Sequence, residues 1–531
     1  MSGILEFLKR LVRRENFPVL FLIVLNLCVG LAVYRDYGEG RDTRAQYEYG
    51  QNSLMAYLGR YPIGELSRDD KGPSYAMLAV LGSEAMTALV SQLHPMQAFH
   101  YMNFLAYLLG MFFLYRLSRR LAGRLAAFGA VLLYNTQPLL WGHAFINPKD
   151  LAFMSFFLAA VEMGLQMQAS PALQAGPGIS IRRRLALALK DWRVWLAALF
   201  LGLAAAMRVL GPVAGLMAGG WLFLKNGWRS LPLVGVYFVL SELVTILTWP
   251  GLWANPLRIY LRTFQLAAGF PWEGKILFAG MEYDPSALPR TYLPALVGLQ
   301  FTEPLLALAL IGMGLAAWRV WHRRLDWRLA GLLAAWFWAP LLAVMLLHPV
   351  IYDNFRQFLF IMPPLFVFAA LSLQALFDWL RRPVWAALAL FILVLPGVWY
   401  LVQLHPYQYI YYNSLAGGPA GAFRRYENDY WLTSYQEAVQ YVNETAPQGA
   451  KIVAWGAPHL VKRYNRSDLE VIDYRRLKKD APPPAGYAVV SSRLNKDQNL
   501  YPGAPVLFRV ERGGVILAVV LELQQSGTGS P

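Results

Sequence analysis

The chain has 531 residues, of which 57% are hydrophobic and 15% are charged, and its formal net charge is +16. A soluble globular protein cannot hide so much apolar surface, so the composition predicts an integral membrane protein with many spans. A nucleic-acid binder shares the charge but not the hydropathy, and we attribute the positive charge mainly to basic cytoplasmic loops, with a smaller part serving anionic lipid or substrate phosphate.

Eleven apolar runs are candidate membrane spans, since a span needs about 17–25 mostly apolar residues. They lie at 17–34, 98–115, 124–141, 151–168, 193–207, 210–224, 231–249, 304–320, 328–347, 357–376 and 384–403. The segment before the first run is basic, and every second connection is short and basic, which places these segments in the cytoplasm. The chain is therefore predicted to be a multi-pass α-helical protein of the cell membrane with about eleven transmembrane helices. Its N-terminus is expected in the cytoplasm and its C-terminus outside.

Two long outer loops, 35–97 and 250–303, interrupt a transmembrane part that we assign to residues 1–403. Within the first loop, the apolar stretch 74–92 predicts a helix along the membrane interface. Residues 404–531 turn polar and are predicted to be an extracytoplasmic C-terminal region, with a small α/β domain from about residue 430. The pattern there predicts a helix at 435–444, strands at 451–455 and 486–491, and a hairpin at 506–523.

Acidic residues follow the first span directly. The outer loop begins Arg35-Asp36-Tyr37-Gly38-Glu39-Gly40-Arg41-Asp42-Thr43. Charge beside hydrocarbon is costly and therefore rare without a role. A carboxylate such as Asp42 either acts as general base toward an acceptor hydroxyl, or holds a divalent cation. The competing interpretation is a solvated acidic loop paired with nearby arginines.

A second polar segment, Trp141–Asp150, opens the fourth span. The positive end of a helix explains Asp150, because a carboxylate is stabilised there. It does not explain Lys149, which either reaches out to the interface or binds a phosphate at the helix N-terminus. His143 is interpreted as a hydrogen-bonded interface residue in preference to a metal ligand.

Two further outer turns carry arginines. Arg208 lies between two apolar runs, and it either reaches lipid headgroups or offers a fork of donors to a phosphate. The segment Tyr352-Asp353-Asn354-Phe355-Arg356-Gln357 lies between the ninth and tenth runs. Its Asp353–Arg356 pair has the spacing of a helix cap, and the alternative is that Arg356 faces a cavity.

Together these segments resemble the GT-C glycosyltransferases, in particular the protein O-mannosyltransferase-like and aminoarabinose-transferase-like enzymes that use polyprenyl-phosphate sugars. The resemblance covers most of residues 17–440. The motifs that carry it are Asp36-Tyr37-Gly38 with Asp42 and Tyr49-Gly50, His143 to Asp150, Tyr352 to Gln357, His405 to Tyr409 with Asn413, and Asp429-Tyr430-Trp431.

The resemblance implies roles for individual residues. Asp42 corresponds to the general base that activates the acceptor, and Asp150 to a second acidic residue of the outer cavity. The residues that would hold the carrier phosphate are Lys149, Arg208 and Arg356. The residues that would support the site are Glu39, His143, Asn147, Tyr352 and Asp353. The chain departs from the family pattern at Thr43, where the family usually has Glu, and at Gln357, where it usually has His.

The resulting hypothesis is an inverting transfer of sugar from a polyprenyl-phosphate carrier to an acceptor hydroxyl on the outer side of the membrane. The acceptor is a protein, lipid or glycan, and the other partners are membrane lipids, not nucleic acid. No cofactor is assigned, and metal binding stays open because a divalent cation is an alternative ligand of the carboxylates. The competing hypotheses are a lipid-glycan transporter or flippase and a noncatalytic relative that binds lipid-linked glycan.

Overall fold

Helices occupy all eleven apolar runs that the sequence predicts as spans. The computed structural model describes residues 15–67, 71–176, 178–268, 272–477 and 484–524, so the basic segment before the first run lies outside the described residues up to residue 14. Within these ranges, seven helical stretches are long and apolar enough to cross a membrane. Two shorter apolar helices, Phe17–Val33 and Trp192–Ala205, occupy two further runs. The chain is thus a largely helical multi-pass membrane protein, and the count of eleven crossings stays a prediction.

The helices can be numbered in chain order through the described residues. They are α1 (Phe17–Val33), α2 (Thr43–Tyr57), α3 (Ile63–Leu66), α4 (Ser74–Leu89), α5 (Pro95–Ser118), α6 (Arg124–Asn135), α7 (Pro138–Ile146), α8 (Asp150–Gln166), α9 (Pro171–Gln174), α10 (Ile181–Lys190), α11 (Trp192–Ala205), α12 (Pro212–Asn226), α13 (Leu231–Leu247), α14 (Pro256–Ala268), α15 (Tyr292–Gln300), α16 (Glu303–Trp321), α17 (Trp327–Leu347), α18 (Pro363–Leu380), α19 (Pro383–Gln403), α20 (Gly418–Ala422), α21 (Tyr435–Thr445), α22 (Pro458–Tyr464) and α23 (Lys496–Asn499).

Two predicted spans differ from the structure, and one of the differences shapes the site. The run 124–141 is not one helix, because α6 ends at Asn135 and α7 restarts at Pro138. A proline has no backbone N–H to continue a helix but is well suited to the first turn of a new one. The run 357–376 begins as the 3-10 segment Arg356–Ile361, and α18 starts at Pro363. The second break places Arg356 and Gln357 in the lining of a cavity, whereas at the first break Gln137 contacts the backbone of Gln300 and Thr302.

The C-terminal region contains a five-stranded mixed sheet. Its strands follow a two-stranded hairpin in the second outer loop, and the full set is β1 (Ile276–Phe278), β2 (Met281–Tyr283), β3 (Lys451–Ala454), β4 (Glu470–Asp473), β5 (Gly486–Ser491), β6 (Val506–Arg512) and β7 (Val515–Leu523). The order is β4-β3-β5-β7-β6, with β3 parallel to β4 and β5, and β7 antiparallel to β5 and β6. The predicted helix, strands and hairpin are present, whereas β4 was not predicted.

The transmembrane part and the C-terminal region are in direct contact. Gly142 of α7 packs so closely on the segment after α19 that a Cβ atom there would lie 2.4 Å from the backbone nitrogen of Tyr409. A side chain larger than hydrogen does not fit at this position, so glycine allows the two backbones to pack directly against each other. The domain boundary at residue 403 stays a prediction, because segments on either side of it pack directly against each other.

Candidate active site

The first outer loop places Asp42 at the start of α2. The backbone N–H of Gly40 donates to the hydroxyl of Thr43 at 3.0 Å, which closes the turn before the helix. The N–H of Arg41 donates to the carbonyl oxygen of Trp431 at 2.9 Å. The loop is therefore fixed against the C-terminal region, and the Asp42 side chain remains 29% exposed.

The second polar segment is organised by the Asn147 side chain. Its oxygen accepts the backbone N–H groups of Lys149 at 3.2 Å and Asp150 at 2.9 Å, so its amide nitrogen must be the donor on the other side. That nitrogen lies 3.2 Å from Oδ2 of Asp150 and 3.1 Å from Nδ1 of His143. Nδ1 is therefore an acceptor, and the His143 proton sits on Nε2, which faces the Tyr430 hydroxyl at 2.9 Å. Both ring nitrogens are engaged, as expected for a structural histidine.

Side chains from four distant parts of the sequence meet in one ion-pair network. The Nζ atom of Lys149 lies 2.9 Å from Oδ2 of Asp42. Nη1 of Arg356 lies 3.4 Å from the same oxygen and 3.1 Å from Oδ2 of Asp150. Arg208 pairs with the other oxygen of Asp150, and Nη2 of Arg356 lies 3.0 Å from Asp353.

The cations determine the protonation of this network. Burial alone would raise the pKa of Asp42, but Lys149 and Arg356 outweigh it and hold that pKa well below its usual range. Burial lowers the pKa of Lys149 to about 7, against the opposing effect of Asp42 and with the help of the neighbouring cations Lys71, Arg356 and Arg208. Lys149 can therefore gain and lose its charge near neutral pH, whereas Asp42 stays ionised.

A cavity of about 150 Å³ lies beside the network. Four cations line it, namely Lys71, Lys149, Arg208 and Arg356, and its remaining lining residues are Val209, Leu210, Pro349, Val350, Tyr352, Gln357 and Phe358. Most of these remaining residues are apolar. A lining that combines four cations with apolar side chains suits an anionic group that carries a hydrocarbon chain.

Two predicted supporting residues have different environments. Tyr352 lines the cavity, with its ring stacked on Trp272 at 5.1 Å between centroids and the Arg356 guanidinium 5.7 Å away. Glu39 is instead directed to the C-terminal region, where its carboxylate contacts Arg463 at 2.7 Å and its N–H donates to the Tyr464 hydroxyl. Glu39 therefore joins a different ion pair from the one that holds Asp42.

Three further residues of this site were not predicted from the sequence. Lys71 lines the cavity, while Arg493 and Glu427 form a buried ion pair at 3.2 Å behind Asp353. Local sequence gives no signal for them, because Lys71 lies in a polar loop and Arg493 reaches the site only through the fold of the C-terminal region. The guanidinium of Arg356 also lies 4.6 Å from the ring of Trp431, so the Asp429-Tyr430-Trp431 motif reaches this site.

The carboxylates do not fit a divalent cation in this arrangement. A divalent cation such as Ca²⁺ or Mg²⁺ is bound by several oxygen ligands. The guanidinium of Arg356 instead contacts both Asp42 and Asp150, where such an ion would have to lie. Thr43, which stands where the family has Glu, uses its hydroxyl to close the turn. Over the described ranges, no group of three His, Cys, Asp or Glu side chains could hold a metal ion.

Comparisons with known proteins give structural neighbours only. No protein-family model matches the chain, and no curated protein matches it. It is similar to ArnT from Cupriavidus metallidurans in the apo state, at 16% identity and a TM-score of 0.47, over 96% of this chain and 99% of that chain. It is similar to the oligosaccharyltransferase AglB from Archaeoglobus fulgidus in complex with an inhibitory peptide and a dolichol-phosphate, at 14% identity and a TM-score of 0.49, over 86% of this chain and 64% of that chain.

A third neighbour is ArnT from Cupriavidus metallidurans bound to undecaprenyl phosphate, at 14% identity and a TM-score of 0.43, over 96% of this chain and 99% of that chain. These neighbours are GT-C glycosyltransferases, the class that the sequence motifs resemble. Every one of these TM-scores is below 0.5.

Proposed function

We propose that the protein is a glycosyltransferase that moves a sugar from a polyprenyl-phosphate carrier to an acceptor hydroxyl on the outer side of the membrane. The single observation that carries the proposal is the cavity lined by four cations and several apolar side chains, with Asp42 paired to one of the cations, Lys149. A phosphate monoester with a long hydrocarbon chain matches both kinds of lining residue. The GT-C motifs in the sequence support the same assignment.

The exposure of the two carboxylates distinguishes their roles. The Asp42 side chain is 29% exposed, whereas that of Asp150 is 1% exposed. An acceptor hydroxyl can reach a general base only where the base is accessible, so we assign that role to Asp42. Asp150 is assigned to holding Arg208 and Arg356 in place, since it pairs with both guanidinium groups.

The proposed reaction uses the cations on the leaving group. The acceptor oxygen forms a bond to the anomeric carbon as the bond from that carbon to the phosphate oxygen breaks, with inversion. Negative charge grows on the departing polyprenyl phosphate, where Lys149, Arg208 and Arg356 stabilise it. As Lys149 and Arg356 turn toward phosphate, their hold on Asp42 weakens and its pKa rises. Asp42 then accepts the acceptor proton more readily than it would in the resting network.

The test is an Asp42→Asn variant in purified protein with a labelled polyprenyl-phosphate sugar. We expect turnover to fall by about 10²–10⁴-fold, the usual contribution of a general base, while binding of polyprenyl phosphate persists. Asp36→Asn is the matched control, because Asp36 lies in the same loop and pairs with His405 at 2.8 Å. Undiminished turnover in Asp42→Asn would remove it from the base role. Accumulation of intact donor across vesicles without release of lipid phosphate would favour a transporter.

A further inference from the structure

A buried chain of ion pairs links Arg356 to the C-terminal region. One oxygen of Asp353 lies 3.0 Å from Nη2 of Arg356, and the other lies 2.6 Å from Nη2 of Arg493. Arg493 also lies 3.2 Å from Oε1 of Glu427. The second oxygen of Glu427 accepts the backbone N–H of Asn354 at 3.0 Å. All five residues are buried, so water does not substitute readily for a lost partner.

The turn that carries Asp353 has a left-handed backbone. Asp353 and Asn354 have φ values of 52° and 65°, in a region that Asp and Asn adopt more readily than other residues with a Cβ atom. The contacts from Arg493 and Glu427 reach these two residues directly. The orientation of the turn therefore depends on groups that the C-terminal region supplies.

The consequence for the cavity follows from the geometry of the Asp353 carboxylate. Its two oxygens join two arginines, so Arg493 fixes the direction in which Asp353 faces Arg356. Without Arg493, a buried carboxylate oxygen would lose its partner and the carboxylate would reorient toward the remaining cation. Nη1 of Arg356, which faces Asp42 and Asp150 beside the cavity, would move with it.

We propose that Arg493 is a positioning residue for phosphate binding, which fixes Asp353 and, through it, Arg356. This inference rests on the proposed function, because it assigns to the C-terminal region a part in holding the carrier phosphate. Arg493, about 140 positions from Asp353 in the sequence, would thus fix the orientation of Arg356, which contacts the phosphate of the sugar donor.

The test compares Arg493→Gln and Arg493→Lys with wild-type protein in binding of a short-chain polyprenyl phosphate. We expect Arg493→Gln to weaken binding on the order of tenfold, as for coupled residues of one ion-pair network, and to raise the donor KM more than it lowers kcat. Arg493→Lys keeps a charge for Asp353 and should recover part of the affinity. Arg424→Gln is the matched control, because Arg424 pairs at 2.7 Å with Asp497 of α23, the helix that directly follows the Arg493 turn, and this variant should bind phosphate as wild type does.

A double-mutant cycle with Arg356→Gln separates positioning from a general structural role. Arg493→Gln should have little further effect on affinity once Arg356 is replaced, even though each variant also lowers the melting temperature by leaving a buried carboxylate without a partner. Additive losses, or equal losses in Arg424→Gln, would overturn the positioning role while leaving the proposed function standing. Absence of polyprenyl phosphate binding by the wild-type protein would overturn the proposed function, and this inference with it.

Discussion

The charge of Lys149 provides a pH-dependent test of phosphate binding. Burial lowers the pKa of Lys149 to about 7, so the charged fraction is about nine-tenths at pH 6 and about one-tenth at pH 8. If the charged form binds phosphate, the apparent Kd is the intrinsic value divided by that fraction. The titration of Lys149 alone should therefore lower affinity about tenfold as pH rises from 6 to 8, because a lysine with a lowered pKa loses its proton over this interval.

The variant Lys149→Arg isolates this effect, since arginine stays charged throughout the interval. The phosphate itself gains charge with a pKa near 6, but it does so equally with both proteins. The assay is titration of a short-chain polyprenyl phosphate at pH 6, 7 and 8, reported as the ratio of the two Kd values. The wild-type Kd should rise about tenfold relative to that of the variant. A ratio that does not change with pH would refute the assignment of Lys149 as a titrating phosphate ligand.

Three further outcomes follow from the contacts. Gly142→Ala should lower the free energy of unfolding by about 1–3 kcal/mol through overpacking against Tyr409, seen as a lower melting temperature, whereas Gly220→Ala, with open space around it, should not. Asp150→Asn removes the carboxylate that pairs with Arg208 and with Arg356, which keeps Asp42 and Asp353, and should cost about 1–3 kcal/mol of stability; an unchanged melting temperature would contradict this. Turnover should survive removal of divalent cations by EDTA, and its loss would show that the carboxylates bind metal.

The grouping of the site residues was predictable because it follows from topology. Asp42, Lys149, Arg208 and Arg356 each lie near the end of an apolar run, and the alternation of basic loops predicts that these ends lie on one side of the membrane. Charges at such positions are costly and have few other partners, so proximity of the four was a reasonable expectation. Their contacts in the structure agree with it.

Other features depend on tertiary contacts that a single sequence does not reveal. Glu39 has the same local setting as Asp42, yet it pairs with Arg463, whose position is fixed only when the C-terminal region folds. Arg493 lies in a short turn after β5 and has no local pattern to mark it. Pro138 is a residue type that can end a helix, but the apolar run continues on both sides of it, so the sequence favours one long span.

The most direct measurement is a density map of the protein with a bound polyprenyl phosphate. The phosphate should lie within hydrogen-bond distance of Lys149, Arg208 and Arg356. The hydrocarbon chain should lie along Val209 and Phe358, and the Asp42 carboxylate should face the acceptor side. A phosphate bound elsewhere, or one that leaves the pairs of Asp42 with Lys149 and Arg356 undisturbed, would contradict the proposed function.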